Sequence, residues 1–127
     1  MEYLVTGGAG FIGSNIVRHL VGEGRQVRIL DNLDTGRRIN IEDLLDEVDF
    51  IEGDIRDEAT AHRAVKGVSY VIHLAALPSV IRSVNDPIAA NQTNINGTLN
   101  MLVAARDAQV KRFVFSSSSS VYGNTPT

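Results

Sequence analysis

The chain has 127 residues, 43% of them apolar and 21% charged, with a formal net charge of −3. That length fits one domain with a core of ordinary size, and the composition excludes a disordered chain. Lysine and arginine are scattered, which leaves no nucleic-acid footprint, and the lack of cysteine removes disulfides and thiolate chemistry.

Residues 2–6 read as a strand, and Thr6-Gly7-Gly8-Ala9-Gly10-Phe11-Ile12-Gly13 follows as a glycine turn. Helical spacing over 12–23 is predicted to bury Ile12, Ile16, Val17, Leu20 and Val21, with Gly24 as the stop. Val27–Leu30 is a second strand, Asp31–Gly36 a turn-rich loop, and 40–46 a short helix. Val48–Ile51 is a third strand, and Asp57 caps a helix over 58–66 that Gly67 ends. Tyr70–Leu74 is a fourth strand, apolar enough for burial. Asp86-Pro87 opens a helix around 87–108 with Ile88, Ile95, Leu99, Leu102 and Val103 on one face. Phe113–Phe115 is a fifth strand, and five serines then lead to Val121-Tyr122-Gly123. Such alternation with short links predicts right-handed crossovers and an α/β fold, a doubly wound parallel sheet covered on both faces.

In such a sheet the carboxyl ends of the strands line the ligand crevice. The polar clusters fall at those ends: the glycine turn, Asp31, Asp54, Ala75-Ala76 and Ser116–Ser120. Strand, glycine turn and helix in that order suit a dinucleotide pyrophosphate. Gly7 permits a tight turn, Gly10 lets the backbone approach the phosphates, and Gly13 lets the helix pack closely. Asp31 lies 18 positions after Gly13, close to the spacing of about 20 expected for an acid that accepts hydrogen bonds from an adenosine ribose. Its charge repels a 2′-phosphate and favours NAD over NADP, although Arg37 and Arg38 in the next loop can offset that repulsion. In Gly53-Asp54-Ile55-Arg56-Asp57, Asp54 can accept from an adenine amino group while Ile55 packs on the ring. Taken alone, the same segment reads as a turn and helix cap. His73 reads as structural, and His19, His62 and His73 lack metal-site spacing.

TGGAGFIG, DNL, GDIRD, HLAA, SVxxSxxDP, NxxGTxNxLxAA and SSSSSVYG, in this order, resemble the NAD-dependent epimerase/dehydratase family of extended short-chain dehydrogenases/reductases. Within it they look most like the UDP-glucose and UDP-N-acetylglucosamine 4-epimerases. The resemblance spans essentially the whole chain. It implies a Rossmann-type domain and NAD as cofactor. The coenzyme-binding set is Gly7, Gly10, Phe11, Ile12, Gly13, Asp31, Asn32, Asp54, Ile55, Leu74, Ala75, Ala76 and Ser116. Substrate contacts fall on Ser79, Ser118 and Ser119, with Ser118, three positions before Val121, as the catalytic serine. Ser79 and Ser83 resemble the subgroup acting on UDP-N-acetylhexosamines, and equally read as helix-capping serines. Tyr122 reads evenly as a sugar neighbour or a loop filler.

Dehydratases and decarboxylases of the family carry a carboxylate after the catalytic serine, where this chain has Ser119 and Ser120. Neither does carboxylate acid–base work near neutral pH, which favours epimerisation through a transient 4-keto sugar. The alternatives are a sugar-nucleotide dehydratase or decarboxylase, and a non-catalytic NAD(H)-binding sensor. The family's catalytic tyrosine has a lysine four residues on, whereas Tyr3, Tyr70 and Tyr122 are followed at that distance by Gly7, Leu74 and Pro126. Residues 1–127 are therefore expected to be an incomplete Rossmann domain without the Tyr-x-x-x-Lys helix and the sugar-nucleotide domain, binding NAD without turnover. Exposed apolar positions around Phe113–Phe115 predict self-association, and the family implies a homodimer for the full-length form. No apolar run reaches the roughly 18 residues of a membrane span and no leader precedes the first strand, so a cytoplasmic protein is expected.

Overall fold

Alternation along the strands decides which side of the sheet each residue serves. The computed structural model describes residues 1–33, 37–74 and 96–115. Among these, the strands are β1 (Tyr3–Thr6), β2 (Val27–Asp31), β3 (Asp49–Glu52), β4 (Tyr70–His73) and β5 (Arg112–Phe115). They form one parallel sheet in the order β3-β2-β1-β4-β5. β1 lies at its centre, with Val5 opposite Ile29 on one side and Ile72 on the other. Chain order reverses beside β1, which makes its carboxyl end the switch point where such sheets bind ligands.

Two apolar layers sandwich the sheet. On one face Leu4, Leu30 and Val71 pack with α2 (Glu58–Val65) and α3 (Thr98–Asp107) through Ala61, Ala64, Met101 and Ala104. On the other, Val5, Val27 and Ile29 pack with Val17 of α1 (Phe11–Gly22) and with Ile41 and Leu44. The expected strands and caps are present within a residue or two. Asp57 caps α2 by accepting from the Ala59 N–H. α1 closes with the paired bonds from Gly24 N–H to Val21 O and Arg25 N–H to Leu20 O, a Schellman end.

Three expectations change. The short helix at 40–46 is two 3₁₀ turns, Arg38–Asn40 and Glu42–Leu44, closed by bonds such as Leu44 N–H to Ile41 O at 2.8 Å. Ile12 is 65% exposed, because it falls on the outward stripe of Asn15 and His19, while Gly13, Ser14 and Val17 face the sheet. In α3, Leu99 and Leu102 are exposed, and Met101, Ala104 and Ala105 are buried. Small alanines on both helices let α3 sit close to α2, so the interface is built without the large leucines. Asp34–Gly36, Ile88, Ile95 and the opening of the helix expected from 87 lie outside the described residues. Among the described residues, no helix is long and apolar enough to cross a membrane.

Candidate coenzyme site

At the carboxyl end of β1 the chain reverses through a glycine turn into α1. Gly7 has φ 73°, a left-handed conformation that disfavours a side chain. Its N–H donates to Leu30 O at 2.8 Å, and the Gly10 N–H donates to Gly7 O at 3.1 Å. A Cβ on Gly13 would collide with the Gly7 carbonyl and lie 2.9 Å from Gly8 Cα, so the first turn of α1 rests directly on the loop. Gly10 is the N-cap of α1 and makes no side-chain cap. The first N–H groups and the positive end of the helix dipole are thus presented without a capping side chain from Gly10. Phe11 and Ile12 supply N–H groups there while their side chains point away, Phe11 being 81% exposed.

The loop is held from both sides. Asp31 is buried at the end of β2; its Oδ2 accepts from the Ala9 N–H at 3.0 Å and its Oδ1 from the Leu33 N–H at 2.7 Å. The Ala9 carbonyl accepts from the Arg37 N–H at 3.0 Å and from Asn40 Nδ2 at 2.8 Å. A carboxylate offers about four acceptor sites, so Asp31 retains capacity for a ribose diol beside the turn it braces. Arg38 stacks over the Phe50 ring, its guanidinium carbon 5.8 Å from the centroid.

Asp54 follows β3 and accepts from the Arg56 N–H at 2.9 Å and from the Arg56 guanidinium; Asn32 Nδ2 approaches it at 3.5 Å. The hydrogen-bonded Arg56 guanidinium holds its carboxyl below the usual range. Ile55, expected against an adenine ring, is 4% exposed and packs on Gly97, which leaves little of its side chain for a ligand. The Leu74 N–H donates to both the carbonyl and the hydroxyl of Thr6 at 3.0 Å, tying β4 to the start of the turn. Gly7, Gly10, Gly13, Asp31, Asn32, Asp54 and Leu74 therefore all lie at the carboxyl edge of the sheet. Ala75, Ala76, Ser79, Ser83, Ser116, Ser118, Ser119 and Tyr122 lie outside the described residues.

His73 is buried and structural. Its Nδ1 lies 2.7 Å from Thr6 Oγ1 and its Nε2 3.0 Å from Thr98 Oγ1, with Phe113 and Phe115 against the ring. Burial pushes its pKa down to about 4. Sequence reasoning missed Ala9, whose role is a main-chain contact, and Asn40, whose side-chain amide reaches it from 31 positions away. It also left Gly97, Thr98 and Asn100 as a motif without a task.

Comparison with known proteins shows similarity over nearly the whole chain. A protein of Klebsiella pneumoniae named UDP-glucose 4-epimerase is 43% identical over 132 residues, covering 99% of this chain and 95% of its own. The crystal structure of the Thermus thermophilus UDP-glucose 4-epimerase complex with NAD is 44% identical, with a TM-score of 0.83 over 92% of this chain and 37% of that one. The NAD-bound dTDP-glucose 4,6-dehydratase of Streptomyces venezuelae is 38% identical, with a TM-score of 0.92 over 100% of this chain and 42% of that one. The chain spans 37–39% of the length of five further curated relatives that it matches. Residues 3–127 match the family of NAD dependent epimerases and dehydratases. The chain therefore belongs to the NAD dependent epimerase/dehydratase family.

Proposed function

We propose that this chain is the coenzyme-binding part of a sugar-nucleotide 4-epimerase, and that it takes NAD at the carboxyl edge of β1 and β2. The observation that carries the reading is the Asp31 carboxylate bonded to Ala9 N–H within the turn. Through that bond a buried acid stands beside an uncapped helix start. The α1 N–H groups would receive the pyrophosphate, Asp31 the adenosine ribose, and Asn32 with Asp54 the adenine edge. NAD held there would supply reversible hydride acceptance at the sugar carbon. Ser118 would hydrogen-bond the reacting hydroxyl, with Ser79 and Ser119 beside the sugar. UDP-glucose, UDP-galactose or their N-acetylated counterparts fit this assignment. A homodimer and a cytoplasmic location belong to the same proposal for the full-length form, as does an incomplete domain that holds NAD without turnover.

Calorimetric titration of the 127-residue chain with NAD should give saturable binding at one site per chain. A folded chain with no affinity for NAD overturns the reading, and conversion of UDP-glucose to UDP-galactose by this chain alone overturns the absence of turnover. The likeness to a dTDP-glucose 4,6-dehydratase keeps a second reading in view. Product analysis of the full-length protein separates the two, since only a dehydratase loses water from the sugar.

A further inference from the structure

The opening of α3 is a segment that the coenzyme reading leaves without a role, yet it touches both halves of the site. Asn100 Nδ2 donates to the carbonyls of Ile55 and Arg56, each at 3.0 Å, and so closes on the chain just after Asp54. Gly97 packs against the same loop: a Cβ there would lie 2.5 Å from Ile55 Cδ1 and Cγ1. Between them, Thr98 Oγ1 lies 3.0 Å from His73 Nε2. The other ring nitrogen lies 2.7 Å from the hydroxyl of Thr6, the residue that opens the glycine turn. Thr6 Oγ1 also accepts from the Leu74 N–H.

The Thr6 and His73 side chains are buried, and the neutral imidazole spans two hydroxyls on different elements. A buried polar chain of this kind has few geometries in which every member is satisfied, so it fixes distances that apolar packing leaves loose. One four-residue segment thus reaches the adenine-side loop by two hydrogen bonds from the Asn100 amide and the phosphate turn by a three-member relay.

We infer that Gly97–Asn100 is a positioning strut that sets the spacing between the phosphate turn and the adenine loop. Thr98, through His73 and Thr6, governs the grip on the pyrophosphate. Asn100 and Gly97 govern the grip on the adenine end. These are positioning residues and need not touch the ligand. The inference rests on the NAD reading above, and its test separates the two.

The test titrates the 127-residue chain and three variants with NAD, ADP and adenosine, and records thermal unfolding of each. Thr98→Val keeps the shape and loses the hydroxyl; it should weaken NAD and ADP by about fivefold and leave adenosine within about twofold. Thr98→Ser restores the hydroxyl and should restore affinity. Asn100→Leu loses two hydrogen bonds and should weaken all three ligands, adenosine included, by about tenfold. Asn100→Ser replaces it if the leucine variant does not fold. Variants that bind every ligand as the unmodified chain does overturn the inference. A uniform loss across all ligands in both Thr98→Val and Asn100→Leu, tracking the fall in melting temperature, also overturns it. An unmodified chain that binds no NAD overturns the reading beneath the inference and the inference with it.

Discussion

His73 carries a neutral imidazole between Thr6 and Thr98, the first residue of α3. Burial lowers its pKa from 6.5 to about 4, so the unfolded chain takes up a proton that the folded chain refuses. The unfolded state therefore binds more protons between these values, and stability falls as pH drops from about 6.5 towards 4. Below that the contribution levels off. The loss across the window is roughly 3 kcal/mol, at ~1.36 kcal/mol for each pH unit between the two midpoints. Urea unfolding at pH 7, 6, 5 and 4 should show it, and a His73→Gln chain should show a shallower slope. Asp31 was legible from its spacing to Gly13, since that distance is set by one helix and one strand. The clamp on Ala9 was not, because the Arg37 N–H and the Asn40 side-chain amide reach its carbonyl from residues that no local pattern links to it.

The contact between α1 and the glycine turn leaves no room for a methyl group at Gly13. The atom in the way is a backbone carbonyl, which cannot swing aside as a side chain can. Gly13→Ala should therefore push α1 off the turn, cost about 1–3 kcal/mol of stability, and weaken NAD binding more than Gly22→Ala, where a Cβ meets nothing within 4 Å. Denaturant titrations and calorimetry on the two variants check this. Strands and helix ends were readable because short apolar runs and capping residues act locally. Asp57 and Gly67 mark the ends of α2, and Gly24 follows α1, as expected. Helix faces were harder. Leu99 and Leu102 look like core by periodicity, but the partner of α3 is α2, whose Ala61 and Ala64 accept alanines at close range. At the carboxyl end of α2 the carbonyls of Ala64 and of Lys66, just past the helix, accept from Arg28 of β2 at 2.7 and 2.9 Å. That contact lies between residues 36 and 38 positions apart and is invisible to any local rule.

Across the molecule, β5 pairs only with β4 among the described strands, and Val114 and Phe115 are about half exposed beside its outer edge. An unpaired strand edge flanked by apolar side chains is a template for another chain. The apparent mass of the 127-residue chain in static light scattering should rise with concentration, and a Val114→Lys chain should reduce that rise. A constant monomer mass over a wide concentration range contradicts this. That the sheet is parallel followed from the alternation of strands and helices, whereas its order β3-β2-β1-β4-β5 is set by long-range packing that leaves no local signal. The restraint on Ala9 has one more consequence. Its N–H and its carbonyl are both held by the protein itself, so an incoming dinucleotide meets a receptor whose shape is already set there. At this point no loop ordering adds to the cost of complex formation, and mutations that loosen Ala9 would add it.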